Sequence, residues 1–524
     1  MSNRRVFIKQ AGAGALGLGF LNSFPSFSQH NYDKVTNALP RSTPEAQGVS
    51  SAALRKFLEA VADSKQEFHS LMIVRHGHVI AEGWWSPYSP KLKQQLYSLS
   101  KSFTSTAIGL AVGEGRLSVE DPVTKFFPDD LPSEISPNLA ALKVKHLLSM
   151  SVGMAKDSIR TIEVTNEGTW AKTFFSLPID FEPGTKFFYN SGASYMLSAI
   201  VKKVTGQSAH DYLKPRLFEP LGITGSSWTA NAEGINIGAS HLRLKTEDLA
   251  KFGQLYLQNG QWNGKQILNE EWIEAASSKQ ISSGNNDSSW GYGYGYQFWL
   301  NPPGGYRADG AFGQYSMIFP EKDAVVVITS ESYGKQVTMQ LVWDNLLPEM
   351  KDAALPANTP EHEKLQQELK TLAYYPPKFN ATSPLAATIS GKEFVLDEND
   401  HKVKSVSFHF KSDKCIFNIK QDGKKDLPIT CGINGWYTGD NKKPDESSLF
   451  SKLRIDFDSV VAASATWKDS NTLLLNWRTI ETTHHDSLTC SFENNNVTIV
   501  FLHSMAAAEN KPDDRAPLTG RMLA

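Results

Sequence analysis

Near residue 352 the pattern of the chain changes, and this change constrains the fold more than any other feature. Before it, apolar residues at helical spacing alternate with short strand-like runs. After about residue 383 only short alternating runs remain: KSVSFHF, KCIFNIK, LRIDFDSV, ASATW, TLLLNW and VTIVFL. Such runs have the period of half-buried strands and predict an all-β unit, a small barrel or a sandwich. Between the two lies a stretch read as a linker, 353–382, with a short charged helix and a Pro-Pro stop. The boundaries expected are 42–352 for the first domain, 383–508 for the all-β domain, and 509–524 for a loose polar tail. A chain of 524 residues is long enough for two to four domains at about 150 residues each. The three cysteines, Cys415, Cys431 and Cys490, all follow the change in pattern. That excludes a disulfide scaffold, a four-cysteine zinc site and a cysteine nucleophile in the first 414 residues. Cys415 and Cys431 can pair only if their strands are neighbours, which spacing does not decide. The net charge of -2 gives no reason to expect nucleic acid as a partner.

The chain starts MSNRRVFIKQAGAGALGLGF. Arg4 and Arg5, an uncharged run from Ala11 to Leu21, and the small residues Ser26 and Ser28 resemble a twin-arginine export signal over residues 1–28. The run is too short and glycine-rich to span a membrane, and no later stretch reaches 18 apolar residues. The expectation is an exported, periplasmic protein without a transmembrane segment. The glycines at 12, 14 and 17 match a dinucleotide fingerprint, but no strand precedes them.

In the first domain, residues 68–86 read as a hairpin turning at His76-Gly77, so His76 and His78 flank a turn rather than form a metal pair. Helices are expected from Ser98 to about Gly113–Gly115, over 142–149 and 191–204, and over 246–258 with Thr246 as N-cap. Residues 313–330 read as two strands joined at Pro320 to Asp323. The fold class is therefore α/β (α+β): an antiparallel sheet flanked by helices, followed by the all-β domain.

Three short motifs carry chemistry. Ser98-Leu-Ser-Lys101 sets a hydroxyl and an amine three residues apart, so that on a helix both lie on one face. Backbone N–H groups are unpaired at a helix start, and a lysine there in an apolar pocket has a lowered pKa and can act as a base. A second match, Ser332-Tyr-Gly-Lys335, follows a strand and contains a glycine, so it is set aside. Tyr189-Asn190-Ser191 places a phenol that can share a proton with Lys101. Ala308-Asp309-Gly310-Ala311-Phe312-Gly313 offers small residues that let a backbone approach a substrate, with the N–H of Ala311 as an oxyanion donor. The aromatic run Trp290 to Trp299 reads first as an ordinary sheet face and second as a substrate wall. His484-His485-Asp486 reads as a polar loop. The chain has no Gly-x-Ser-x-Gly and no His-Glu-x-x-His, which sets aside an α/β-hydrolase and a zinc protease.

In this order and spacing the three motifs resemble the serine β-lactamase and penicillin-binding-protein-like hydrolases, nearest the class C and esterase branch. That branch includes members resembling 6-aminohexanoate-dimer hydrolase. The stretches Leu117–Val123, Val144–Gly153 and Gln261–Leu268 resemble the family as well, and the resemblance covers roughly residues 42–350. It implies an all-helical subdomain beside the sheet and a serine hydrolase that forms an acyl-enzyme on an ester or amide. By it, Ser98 is the nucleophile, Lys101 its activator, Tyr189 the acid/base partner, and the N–H groups of Ser98 and Ala311 the oxyanion hole. Asn190, Ser191, Gly310 and Gly313 would contact substrate. The partner expected is a small-molecule or peptide substrate, with no cofactor or metal. Two departures stand out. The third position of the second motif is Ser191 rather than asparagine, and Ala308 stands where lysine or histidine is usual. That cation helps hold the carboxylate of a β-lactam or D-alanine end, so its replacement ranks esterase or amidase above DD-peptidase and β-lactamase, with a non-catalytic relative that binds cell wall or glycan as the other alternative. Arg307, next to it on a strand, is expected to face the other way.

Overall fold

The computed structural model describes residues 38–165, 168–441 and 459–523. The export segment and most of LRIDFDSV fall outside them. The hairpin forms as expected: Glu67–Arg75 pairs antiparallel with His78–Trp84 around a turn in which His76 and Gly77 have positive φ. His76 bonds Gln47 and His78 bonds the His76 carbonyl. The strands Ala324–Glu331, Gln314–Phe319, Tyr306–Gly310 and Trp299–Leu300 extend the hairpin, in that order, into a six-stranded antiparallel sheet. The last two long strands join through Pro320–Lys322, as the sequence predicts.

Alternate residues of these strands enter two cores, because successive side chains of a strand point to opposite faces. On one face Leu71, Ile73, Val326 and Ile328 pack with Phe57 and Leu58 of helix Ser51–Asp63, and with Met339 and Val342. Leu365 and Leu369 join this core. They lie on the charged helix Thr359–Thr371, whose partner Arg55 bonds Glu361 and Glu368. The stretch read as a linker is thus packed onto the first domain. On the other face Met72, Val74, Val325 and Val327 meet the helices that lie in sequence between Trp84 and Trp299.

At the centre of that helical region is Ser100–Gly113, which is buried along almost its whole length. Its hydroxyls are satisfied by neighbouring backbone: Ser102 donates to the Gln297 carbonyl at 2.7 Å and Thr104 to the Gly238 carbonyl at 2.7 Å. Helix Ser191–Thr205 packs beside it. The helix Thr246–Leu257 starts one residue earlier than a Thr246 N-cap would imply. Lys245 is the N-cap position, and the Thr246 hydroxyl is spent on Ser70 at 2.8 Å. Among the described residues no helix is long and apolar enough to cross a membrane.

The strands after residue 390 close into a nine-stranded barrel, settling the choice between barrel and sandwich. All neighbouring strands are antiparallel except Leu427–Ile433 and Val461–Trp467. Trp467, Trp477, Phe408 and Phe417 fill the interior. Cys415 and Cys431 stand opposite each other on adjacent strands, and with Cys490 they are buried free thiols. The stretch expected to be loose is instead part of the closure. Leu518–Met522 pairs with both Asn496–His503 and Glu393–Leu396, with Leu518 and Gly520 buried, and Arg515 bonds Asp486 and Asp513. Its alternation is only five residues long and is preceded by charged residues, which hides the strand from a periodicity reading.

Barrel and six-stranded sheet meet through buried charge. Arg478 bonds both Glu67 oxygens, and the imidazoles of His484 and His485 bond the two Glu331 oxygens at 2.7 and 2.8 Å. Burial alone would raise the Glu331 carboxyl; the two histidine bonds reverse this and hold it well below its usual range. His484 lies in the turn before strand His485–Glu493, but it is a buried contact residue rather than a solvated one. Glu67, Glu331 and His485 bring ligand-type atoms within 4.8 Å of one another, but their charges are already paired by Arg478 and the histidines.

Candidate active site

Ser98 lies in the single tight turn Tyr97–Leu99 that leads directly into helix Ser100–Gly113, so the helix begins two residues after Ser98 and not at it. Lys101, in the first turn of that helix, is buried and reaches back. Its Nζ lies 3.1 Å from Ser98 Oγ, 3.3 Å from Ser191 Oγ and 2.9 Å from the Ala239 carbonyl. Burial drives its pKa down to about 7, with Asp157 opposing. The lowered lysine expected from the motif is present in this geometry.

Tyr189 arrives from the segment just before helix Ser191–Thr205. Lys101 Nζ stands 4.9 Å from its ring centroid, and its hydroxyl is directed to Ser98. Burial raises its pKa well above the usual phenol range, with the Ser98 bond opposing, so it is a phenol at neutral pH. Ser98, Tyr189, Ala311, Asp309, Trp290 and Trp299 line one cavity of about 200 Å³. The ends of the aromatic run thus form a wall of the cavity, with Trp299 stacked on Tyr189 at 5.9 Å. Reading that run first as a plain sheet face missed this, because only its two ends turn toward Ser98.

Of the residues expected to touch substrate, Ser191 is at the site, through Lys101. Asn190 is not. It is fully buried and caps helix Ser191–Thr205, accepting from the Ala193 N–H at 3.2 Å and the Ser158 hydroxyl at 2.7 Å. Gly310 serves a different close approach from the one expected: a Cβ there would lie 2.2 Å from the Leu96 carbonyl, so the strand abuts the Ser98 turn itself. At Gly313, with φ 86°, an added Cβ would lie 2.2 Å from Ser330 Oγ. Both glycines shape the backbone around the cavity and do not line it.

Ala308 is fully buried in the apolar core. Arg307 is also fully buried, and its Nε bonds Asp309 Oδ2 at 2.9 Å, which also accepts from Trp290 Nε1 at 2.9 Å. The remaining guanidinium nitrogens bond Leu300, Asn301 and Ser289. The charge presented to the cavity beside Ser98 is thus the Asp309 carboxylate. Sequence reasoning assigned a role to neither Asp309 nor Asp157, whose Oδ1 accepts from the Ser191 N–H at 2.8 Å. Asp309 sits inside a quoted motif, and strand alternation relative to Ala308 is the signal that identifies it. Ser332 of the rejected second motif is buried, with its hydroxyl bonded to Gln66 and Thr338.

The family model described as Beta-lactamase matches residues 55–347, more than half of the chain. The chain belongs to this family, the serine hydrolases of β-lactamase and penicillin-binding-protein type. A 6-aminohexanoate-dimer hydrolase from Paenarthrobacter ureafaciens is 25% identical over 280 residues, covering 49% of this chain and 71% of that one. An octameric penicillin-binding protein homologue from Pyrococcus abyssi aligns over 89% of this chain and 99% of its own, at 17% identity and a TM-score of 0.46. A penicillin-binding protein homologue from Caulobacter crescentus aligns over 56% and 95%, at 17% identity and a TM-score of 0.45.

Proposed function

We propose that the protein is an exported serine hydrolase that cleaves an ester or amide through an acyl-enzyme at Ser98. The observation that carries this reading is Ser98 Oγ 3.1 Å from a buried Lys101 whose pKa is lowered to about 7. The neutral amine takes the Ser98 proton as Oγ attacks the substrate carbonyl carbon. The resulting oxyanion is held by the N–H groups of Ser98 and Ala311, two residues that line the cavity. Tyr189 gives its proton to the leaving oxygen or nitrogen as the carbonyl–leaving-group bond breaks, and recovers one from the Lys101 ammonium. Water then enters by the reverse sequence and releases the acid. The twin-arginine start supports export of the folded chain. The hydrolase relative named for an amide dimer supports the esterase or amidase branch.

The test is covalent. A fluorophosphonate should add one adduct to the folded protein, and peptide mapping should locate it on Ser98. Modification spread over surface serines, or persisting undiminished in Ser98→Ala, would reject the reading.

Charge selects the substrate. Ala308 supplies no cation, and Asp309 presents a carboxylate. An acyl ester with a carboxylate near the scissile bond should therefore react more slowly than its neutral isostere. Asp309→Asn removes the repulsion and leaves Arg307 to attract an anion. The anionic-to-neutral ratio of kcat/KM should rise about tenfold, equivalent to about 1.4 kcal/mol. An unchanged ratio in the folded variant, or efficient hydrolysis of nitrocefin by the wild type, would contradict this assignment.

A further inference from the structure

The two segments that would supply the oxyanion donors are strained in the same way. Tyr97, just before Ser98, has φ 48°, and Phe312, just after Ala311, has φ 62°. Left-handed backbone at a bulky aromatic residue is unfavourable and persists only where the surroundings impose it. Both rings are held from one direction. They pack edge to face on each other at 5.2 Å, and the imidazole of His484 lies 4.5 Å from Phe312 and 6.4 Å from Tyr97, edge-on to both.

His484 belongs to the barrel, at the turn between strands Thr472–Thr479 and His485–Glu493. The same turn bonds the approach to Ser98: the Gln95 N–H donates to the Glu481 carbonyl at 3.0 Å, and the Gln94 amide to the Ile480 carbonyl at 2.6 Å. His484 is fixed in turn by Glu331, at the end of the strand that holds the Ala311 loop. On either side of Glu331, Ser330 Oγ donates to the carbonyls of Phe312 and Gly313, and the Ser332 N–H donates to that of Phe312. The loop is therefore clamped between its own sheet and a barrel side chain.

We infer that His484 is a positioning residue for the oxyanion hole: through its ring contacts with Tyr97 and Phe312 the barrel sets the spacing of the Ser98 and Ala311 N–H groups. This rests on the serine-hydrolase reading. It makes the barrel turn part of the catalytic apparatus without His484 touching substrate. A packing role confined to stability would not separate kcat from KM.

The experiment uses the full chain with p-nitrophenyl butyrate as substrate and phenylboronic acid as a tetrahedral oxyanion mimic. His484→Ala should lower kcat about 10- to 100-fold with KM within about threefold, and weaken phenylboronic acid in parallel, because a misplaced donor loses transition-state binding. His484→Phe, which restores a ring without the Glu331 bond, should recover most of the loss. His484→Gln, with a hydrogen-bonding group but no ring, should behave like alanine and takes its place if the alanine variant does not fold. Hydrogen exchange in peptides covering 94–99 and 310–314 should quicken in the alanine and glutamine variants and not in the phenylalanine one. The proposal is overturned by a folded His484→Ala or His484→Gln with kcat within twofold of wild type, by no recovery in His484→Phe, or by unchanged exchange in both segments. If wild-type protein neither turns over the ester nor labels at Ser98, the hydrolase reading has failed, and the exchange comparison alone decides the positioning role.

Discussion

Ser98→Ala should lower kcat/KM on any ester substrate by about 10⁴- to 10⁶-fold, the cost of removing a nucleophile whose partners act as one unit with it. Nothing else lining the cavity replaces the hydroxyl: the remaining side chains are a phenol, two indoles, a carboxylate and a methyl group. The loss should not come from unfolding. Ser98 is only half-buried, and Lys101 keeps its bonds to the Ser191 hydroxyl and the Ala239 carbonyl. The melting temperature should therefore stay within a few degrees, as for a change away from the apolar core. The measurements are steady-state ester hydrolysis and a thermal melt on the same preparation. A variant that retains more than about 1% of wild-type turnover would remove Ser98 from the mechanism.

Much of this site could be read without a structure, for a local reason. Ser98 and Lys101 are three residues apart, so their meeting depends on one helical turn and on little else. The lowered lysine follows from the same placement, because an apolar pocket at a helix start disfavours the charged amine. Tyr189 is 91 residues from Ser98 and 88 from Lys101, and only its order in the chain relative to the other motifs points to it. Asn190 shows the limit of that reading. Its motif position implied substrate contact, but it immediately precedes a 15-residue helix, and capping that helix takes its side chain. Asp309 and His484 were legible only in part, because a strand's facing and a barrel's docking are tertiary facts. The His-His pair at 484 has no helical or strand period of its own; its role depends on Glu331, 153 residues earlier. For the same reason the sheet and the barrel could be foreseen as classes, whereas the packing of Thr359–Thr371 and the closing strand Leu518–Met522 could not.

The pH dependence should separate the roles of Lys101 and Tyr189. Lys101 has its pKa lowered from 10.5 to about 7 by burial, and Tyr189 has its pKa raised by burial. If the neutral amine is the base, kcat/KM should rise tenfold per pH unit below about pH 7, level off above it, and stay level well into the alkaline range while Tyr189 keeps its proton. A resting phenolate as base would instead place the rise far higher, since Tyr189 is shifted the other way. Lys101→Met should cost about 10³-fold or more and remove the limb near neutrality. Lys101→Arg should fail similarly, because a guanidinium does not give up its proton. Asp157 raises the Lys101 pKa, so Asp157→Asn should move the limb to lower pH. Stability carries the same signature with a definite sign. The unfolded lysine keeps its proton up to about 10.5 and the native one only to about 7, so the unfolded state binds more protons between those values. The destabilisation due to Lys101 is therefore full below about pH 7 and fades as the pH rises toward 10.5, and Lys101→Met should gain most in melting temperature at the acidic end. A limb that survives in Lys101→Met, or a wild-type profile flat from pH 5 to 9 with chemistry rate-limiting, would move the base away from Lys101.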